Sequence, residues 1–568
     1  MWPETNFWQG VRLTLFRPSQ PKEPPPMRML SLFLAAAALA AAPAFAQSGG
    51  GDKDKGKSVE ELHKDDLAKA AADAWQGAPV EERTVSSHHA VNVDGRTLKY
   101  TATAGTLTIR DNQGKPTASI FYTADTLDGA PSGHRPVMFF YNGGPGSASL
   151  WLRMGSFGPM RIQTTNAEYI RPAPFNFAPN PDTLLPTTDV IFIDAPGTGY
   201  SRPLGDAKPS DFYGVDEDVD AFARAIMRYV TKFGRWDSPK FLFGESYGTT
   251  RSGALAYQLQ ERGMALNGVV LLSSIMNYGR RQPGLDRDYL NYLPSYAATA
   301  WYHHKMANPP ATVEQAAAEG RAFAQGPYAA ALEKGQLLSP EERASIAQQM
   351  SALTGLSTQF IENADLRVGL SQFRKELLRD QRLTVGRYDS RYTGVDPTAG
   401  GDAPDFDASD VAISGAFVGT LQGYLAHDLG YETDMPYRLS ASEGDGFKWD
   451  FKHKAPGIRY TLNDPNTALD LAAAMRTNPY LKVLSLNGYY DMATPFFGTE
   501  YDLGHMMLDP AQQQNLEFRY YPSGHMVYLN PEALHLMRID VQNFIQQAVG
   551  EAASGYTPAA APARRRHR

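Results

Sequence analysis

A serine flanked by glycines is the clearest candidate for a reactive residue in this chain. Residues 241–248 read FLFGESYG, so an apolar run leads into Gly244, Ser246 and Gly248 and then into a helix-forming segment. A serine on a tight turn between a strand and a helix projects its hydroxyl away from the sheet, and small flanking residues prevent clashes. The dipole at the start of the helix also favours negative charge there. The pattern predicts Ser246 as a nucleophile.

A serine hydroxyl reacts at neutral pH only when a positioned base takes its proton and an acid orients that base. On turns of this kind the chain order is serine, acid, histidine. Asp491 follows a predicted strand at 481–486, and His525 follows a second predicted strand at 516–521. Both are therefore expected at the same sheet edge as Ser246. Weaker alternatives are the bases His505 and His535, in helical or irregular stretches, and the acids Asp502 and Asp509.

The negative oxygen that forms during acyl transfer needs two backbone donors. One is predicted to be the amide of Tyr247, directly after the nucleophile. The second is expected from a loop after an early strand, and residues 139–146 read FFYNGGPG. The sequence therefore predicts Gly144 as the second donor.

The elements that must position these residues form two series. Strand-forming runs at 98–103, 106–110, 118–123 and 137–141 come first, with turn residues at 111–114. Strands at 190–193, 240–243 and 268–272 then alternate with helices at 215–231 and 249–262, a pattern typical of a mainly parallel sheet. The sequence predicts an α/β-hydrolase fold, with a mainly parallel central sheet, helices on both faces and a helical cap insertion. Within the insertion, helices are predicted over 309–334 and 340–353.

The pattern also divides the chain into segments. Residues 27–46 combine a charged start, about a dozen apolar residues and a small-x-small end, as in a secretory signal. The predicted segments are an upstream extension with a cleaved signal (1–46), a polar linker with a surface helix over about 53–82 (47–90), the first core part (91–276), the mostly helical cap insertion (277–446), the second core part (447–550) and a disordered basic tail (551–568).

Composition excludes several classes of chemistry. The chain has no cysteine, so it can hold neither a disulfide nor a thiolate metal site. Its formal net charge of -7 gives no basic bias towards nucleic acid. The apolar run of the signal is too short for a permanent membrane anchor. We expect export to the periplasm or the medium, and neither a nucleic-acid partner nor a stable membrane anchor.

Four blocks in the right order resemble the serine carboxypeptidase family, peptidase family S10. They are NGGPGSAS at 142–149, DAPGTGYS at 194–201, GESYG at 244–248 and GHM at 524–526. The resemblance covers roughly residues 95–545, and the absence of cysteine favours the bacterial branch. It implies a hydrolase core with a helical insertion, no metal or other cofactor, and release of C-terminal amino acids from peptides through an acyl-enzyme.

Recognition of a free C-terminus requires donors to a carboxylate beside the scissile bond. The Asn142 amide and the Gly143 N–H can donate directly, and Glu245 can donate when burial keeps it protonated. By resemblance, Asn142 and Glu245 correspond to the carboxylate-binding residues of the family. Ser156 stands where the family usually has a glutamate. Its hydroxyl can still donate to a substrate, but the carboxylate site then has one acid fewer than that of the family.

Three functions remain open from the sequence. The first is a serine-type carboxypeptidase acting on peptides. The second is an esterase or acyltransferase with the same triad, since an acyl-enzyme does not dictate whether water or an alcohol accepts the acyl group. The third is a silent binding protein, which the intact triad disfavours. The sequence predicts neither the oligomeric state nor the preferred side chains at the cleaved bond.

Overall fold

The computed structural model describes residues 79–131, 133–443 and 446–550. The predicted export signal, most of the predicted surface helix and the C-terminal tail lie outside these ranges. Residues 79–82, the end of that predicted helix, are not helical. No helix in the described ranges has both the length and the apolar character that crossing a bilayer requires.

A ten-stranded sheet forms the centre of the molecule, in the order β1-β2-β3-β7-β4-β9-β10-β13-β14, with β8 paired to β3. Two short hairpins, β5–β6 and β11–β12, lie apart from it. The strands are β1 (Thr84–Val93), β2 (Arg96–Arg110), β3 (Pro116–Leu127), β4 (Val137–Tyr141), β5 (Met160–Ile162), β6 (Phe177–Pro179), β7 (Asp189–Ile193), β8 (Arg202–Pro203), β9 (Lys240–Glu245), β10 (Gly268–Leu272), β11 (Leu383–Val385), β12 (Thr393–Val395), β13 (Lys482–Gly488) and β14 (Leu516–Tyr521).

The half of the sheet that carries the candidate site is parallel. β7, β4, β9, β10, β13 and β14 pair in parallel, whereas β1, β2 and β3 are antiparallel. Both faces of the parallel strands are covered, so β4, β7 and β10 are buried along their whole length. This explains their continuous apolar sequences. The carboxyl ends of β9, β10, β13 and β14 consequently lie along one edge.

Helices cover both faces of this sheet. Val269 and Leu271 of β10 join the core under the helices that follow β8 and β9, and Val270 and Leu272 join the core under the last helix. The described helices are Leu150–Gly155, Val215–Lys232, Tyr247–Glu261, Arg287–Tyr302, Val313–Gln325, Pro327–Lys334, Pro340–Thr354, Thr358–Asn363, Leu370–Glu376, Ala408–Val411, Ser414–Gly423, Ala468–Thr477, Phe496–Gly504, Pro510–Gln513 and Pro531–Val549. The predicted α/β-hydrolase fold is confirmed.

A mostly helical segment lies between β10 and β13. Its first helices pack around a core of their own, which also includes Tyr489, Tyr490 and Met492 from the loop after β13. This segment is therefore joined by apolar contacts to the loop that carries Asp491.

Two local predictions were wrong, and one strand was missed. The two predicted strands at 98–103 and 106–110 are one strand, β2, in which Gly105 leaves room for the Arg83 carbonyl, 2.6 Å from where a Cβ would lie. The helix predicted over 309–334 is two helices, separated at Gly326 just before a proline. β1 was missed because its exposed, largely polar residues carry little strand signal.

Candidate active site

Ser246 lies on a strained turn between β9 and the helix Tyr247–Glu261. Its backbone has φ 61° and ψ -129°, which a residue with a side chain rarely adopts. The turn leaves no room for a side chain two residues before Ser246: a Cβ on Gly244 would lie 2.2 Å from the carbonyl oxygen of Gly248. The backbone amide of Ser246 donates to the carbonyl of Leu272 in β10 at 3.0 Å. The strain is typical of a nucleophile elbow.

The glycine-rich loop after β4 packs directly against this turn. A Cβ on Gly143 would lie 2.4 Å from the amide nitrogen of Tyr247. Gly144 has φ 103°, and the amide of Ser147 donates to the Gly143 carbonyl at 3.0 Å. The loop thus brings the backbone of both predicted donor segments, at Gly144 and Tyr247, close together beside the nucleophile.

Asp491 and His525 form a buried pair. The Nδ1–H of His525 donates to Asp491 Oδ2 at 2.8 Å, and the two side chains are 2% and 1% exposed. The amides of Ala493 and Thr494 donate to Asp491 Oδ1 at 2.8 and 3.0 Å. The Thr494 hydroxyl lies 2.8 Å from Asp491 Oδ2. A proton on Nδ1 leaves Nε2 as the acceptor, the tautomer that a general base needs.

The end of β10 holds the three loops together. Leu272 accepts the amide of Ser246, and the hydroxyl of Ser273 donates to the carbonyl of His525 at 2.6 Å. The Ser273 carbonyl lies 2.8 Å from the Thr494 hydroxyl, beside Asp491. The dipeptide Leu272–Ser273 therefore ties the elbow, the acid loop and the histidine loop to one point, through its two carbonyls and the Ser273 hydroxyl.

Electrostatics around His525 favour its protonated form. Burial works against the imidazolium, but the nearby Asp491 carboxylate outweighs burial, so the pKa of His525 is raised above its usual value. The charge of Glu245 acts in the same direction, and the charge of Arg387 opposes it. The Asp491 carboxylate thus stabilises the imidazolium that forms when His525 accepts a proton.

Glu245, the last residue of β9, is a buried acid beside the nucleophile. Burial raises its pKa to about 7, although His525, Tyr528 and Asn142 favour the ionised form. Asn142 Oδ1 accepts the Leu152 amide at 3.0 Å, which leaves the amide nitrogen of Asn142 as a donor. Within the described residues, Glu245 Oε2 is buried without a hydrogen-bond partner. The structure therefore places the predicted residues Asn142 and Glu245 together.

Ser156 does not replace the glutamate of the resembled family. Its hydroxyl is fully buried and donates to the carbonyl of Leu152 at 2.6 Å. The expectation that it could donate to a substrate therefore finds no support in this arrangement.

Four site residues were missed by sequence reasoning. Thr494 contacts the acid, and Tyr528 and Tyr388 lie beside Glu245 and His525. The fourth is Arg251, a fully buried residue that pairs with Asp218 at 2.6 Å and donates to the Asn142 carbonyl at 2.9 Å. The available signal was that Arg251 is the only charged residue of its helix before the terminal Glu261.

The alternative bases and acids considered from the sequence make contacts elsewhere. Asp502 forms a buried ion pair with Arg280 at 2.5 Å, and His535 pairs with Asp182 on the surface at 2.7 Å. His505 bonds the Tyr501 carbonyl of its own helix. Asp509 begins a short helix. None of these contacts is with the Ser246 turn.

The sheet order and the serine elbow define an α/β hydrolase. Residues 94–291 match the family model described as Serine carboxypeptidase. The match includes three of the four sequence blocks and ends before the Asp491 and His525 loops.

Two fungal proteins are similar over part of the chain. Carboxypeptidase Y of Schizosaccharomyces pombe is 31% identical over 136 residues, which is 23% of this chain and 12% of that protein. The pheromone-processing carboxypeptidase KEX1 of Kluyveromyces lactis is 28% identical over 119 residues, 20% of this chain and 16% of that protein. The chain thus spans less than a fifth of either relative. These matches support the serine carboxypeptidase family over the matched segment.

Solved structures show distant likeness. A proline iminopeptidase from Mycobacterium smegmatis is 16% identical with a TM-score of 0.33, and the alignment covers 78% of this chain and 98% of that one. A carboxyl esterase from Bacillus coagulans is 12% identical with a TM-score of 0.33, over 78% of this chain and 98% of the other. The fold assignment depends on the strand order and not on these likenesses.

Proposed function

We propose that this protein is a serine-type carboxypeptidase that releases C-terminal amino acids from peptides. The observation that carries the proposal is the buried carboxyl of Glu245 next to Ser246, whose pKa burial raises to about 7. A neutral carboxyl donates a hydrogen bond to a carboxylate, whereas an ionised one repels it. A buried acid of this kind beside a nucleophile suits a substrate that ends in a free carboxylate.

The chemistry runs through an acyl-enzyme. Ser246 Oγ attacks the carbonyl carbon of the last peptide bond while Nε2 of His525 takes the hydroxyl proton, and Asp491 holds the imidazolium. The amides of Gly144 and Tyr247 donate to the carbonyl oxygen as it becomes negative. The C–N bond breaks, and His525 protonates the leaving amine. Water then attacks the ester with His525 as base, which releases the shortened peptide and restores Ser246.

The donors for the substrate carboxylate lie on the leaving-group side. Asn142 supplies its side-chain N–H, which also faces Glu245, Gly143 supplies its backbone N–H and Glu245 its protonated carboxyl. The fixed Asn142 Oδ1, bonded to the Leu152 amide at 3.0 Å, supports this orientation. Binding through these groups restricts cleavage to the last peptide bond because a chain that continues has no carboxylate there.

The setting of this activity is also part of the proposal. We infer export to the periplasm or the medium from the pattern at 27–46, and membership of the bacterial branch from the absence of cysteine. Peptides are the partners, and no metal or other cofactor takes part in the steps above.

An esterase or acyltransferase is the second candidate. Ser156 favours it, because its hydroxyl is bonded to Leu152 and the carboxylate site has one acid fewer than the resembled family. Both candidates use the same acyl-enzyme, so only the substrate and the acceptor separate them.

A labelling and release experiment tests the proposal. A fluorophosphonate is expected to label Ser246, and the enzyme is expected to release the free amino acid from an N-blocked dipeptide. Mass spectra of a longer peptide over time should show a ladder shortened from the C-terminus. The Ser246→Ala variant is the control and should show neither labelling nor release. Turnover of simple esters without any release of amino acid would favour the second candidate, and an unlabelled Ser246 would refute both.

A further inference from the structure

A half-buried arginine on the helical segment lies beside the proposed catalytic histidine. Arg387 is fixed at both ends of its backbone: its amide donates to Asp407 Oδ1 at 3.1 Å, and its carbonyl accepts the Met492 amide at 3.1 Å. Met492 directly follows Asp491. The position of Arg387 is thus set by the acid loop itself.

The next residue, Tyr388, connects Arg387 to the site. Its carbonyl accepts the His525 amide at 2.6 Å, and its ring lies 5.3 Å from the His525 ring. The charge of Glu245 also acts on the Tyr388 phenol. Arg387 Cζ lies 5.3 Å from the Tyr388 ring centroid. The Tyr388 ring therefore lies next to both the arginine and the proposed catalytic histidine.

Within the described residues, the Arg387 guanidinium forms no ion pair or hydrogen bond, although neighbouring basic residues do. Arg391 pairs with Asp389 at 2.6 Å, and Arg374 lies 3.8 Å from Asp407. A cation beside the histidine opposes the imidazolium that forms during the reaction. An anion supplied by the substrate would offset that opposition.

We infer that Arg387 is a specificity-determining residue that favours peptides ending in glutamate or aspartate. The inference rests on the proposed carboxypeptidase function and names its substrate class. The main-chain carboxylate of the last residue binds at Asn142 and Glu245. Its side chain extends past Tyr388, and the guanidinium binds the second carboxylate there with paired hydrogen bonds.

Matched dipeptides test this assignment. With N-blocked Phe-Glu and Phe-Gln, which differ in charge and hardly in shape, kcat/KM is expected to favour glutamate by roughly tenfold at low salt. Arg387→Gln should bring the ratio close to one, and Arg387→Glu should favour Phe-Lys over Phe-Glu. The control is Arg382→Gln, an exposed arginine on the same segment, which should leave the ratio unchanged.

Two results would overturn the inference. One is an unchanged glutamate-to-glutamine ratio in Arg387→Gln while Phe-Leu is still cleaved. The other is a charge preference that follows the residue before the cleaved bond, as measured with Glu-Leu against Gln-Leu. Failure of the proposed function looks different: none of the dipeptides releases an amino acid, although circular dichroism shows a folded protein. In that case the inference falls with it.

Discussion

Replacing Glu245 by glutamine separates its two proposed contributions, hydrogen-bond donation and charge. Burial raises the pKa of Glu245 to about 7, above the usual range of a carboxylic acid. The neutral, donating form therefore predominates below neutral pH and is lost as the pH rises through 7. Glutamine keeps a donor of nearly the same shape at every pH. The variant should thus bind the substrate carboxylate without the pH dependence of the wild type.

The magnitude follows from this pKa. With a pKa near 7, the neutral fraction of Glu245 falls from about nine-tenths at pH 6 to about one-tenth at pH 8, so peptide binding should weaken by roughly tenfold over that range. Removing the Glu245 charge also removes one influence that raises the pKa of His525. The rise of activity on the acid side should therefore shift to lower pH in Glu245→Gln.

The assay is kcat/KM from about pH 5 to pH 9 with an N-blocked dipeptide, for the wild type and for Glu245→Gln. An ester without a free carboxylate is the control substrate, and its turnover should lack the alkaline decline in both proteins. If the variant shows the same alkaline decline with the dipeptide, Glu245 is not the group that titrates. The proposed carboxylate site would then be wrong, although the triad would stand.

Two further predictions concern the supports of the site. Gly143→Ala places a Cβ 2.4 Å from the Tyr247 nitrogen and should lower kcat about a hundredfold for dipeptide and ester alike. The control is Gly415→Ala, where a Cβ meets open space. If the two variants were equally active, the assignment of the oxyanion donors would be contradicted. Arg251→Met leaves Asp218 buried and unpaired, and urea unfolding should show a loss of about 3 kcal/mol. Arg228→Met removes a half-exposed arginine whose partner Glu82 keeps a second cation, Lys232, so it should change stability by less than about 1 kcal/mol. A similar loss in both variants would refute that reasoning.

The sequence predicts the parallel part of the fold well because burial on both faces leaves a strong local signal. Every residue of β10 is apolar or glycine, and its predicted bounds agree with those observed. The elbow is only partly local: Gly244 is required by contacts with Gly248 and Ser252, whereas Gly248 is required by the carbonyl of Tyr141 in β4. β1 has a weaker signal: it is an edge strand in which only Val91 and Val93 are buried, and its pairing with β2 and the burial of these two residues determine it.

Residues that act across long sequence distances could not be predicted in this way. Arg251 reaches the Asn142 carbonyl, 109 positions away, and Tyr388 of the helical segment packs against His525. Neither contact leaves a periodic or motif signal, because tertiary structure alone brings the partners together. Glu245 was predicted to be neutral when buried, and the structure supplies the burial that its neighbours in sequence could only suggest.

The hydrogen bonds explain why the first three sequence blocks occur together. In the first block, the backbone amide of Asn142 donates to Ser149 Oγ at 3.2 Å, and the backbone amide of Ser149 donates to Asp194 of the second block at 2.7 Å. The helix after the third block holds the Asn142 carbonyl through Arg251. Asp194 is itself buried, and burial raises its pKa to about 6. Burying its carboxylate without these donors would therefore cost free energy. A change at Asp194 should therefore displace the donor loop, although Asp194 itself lies outside the proposed triad.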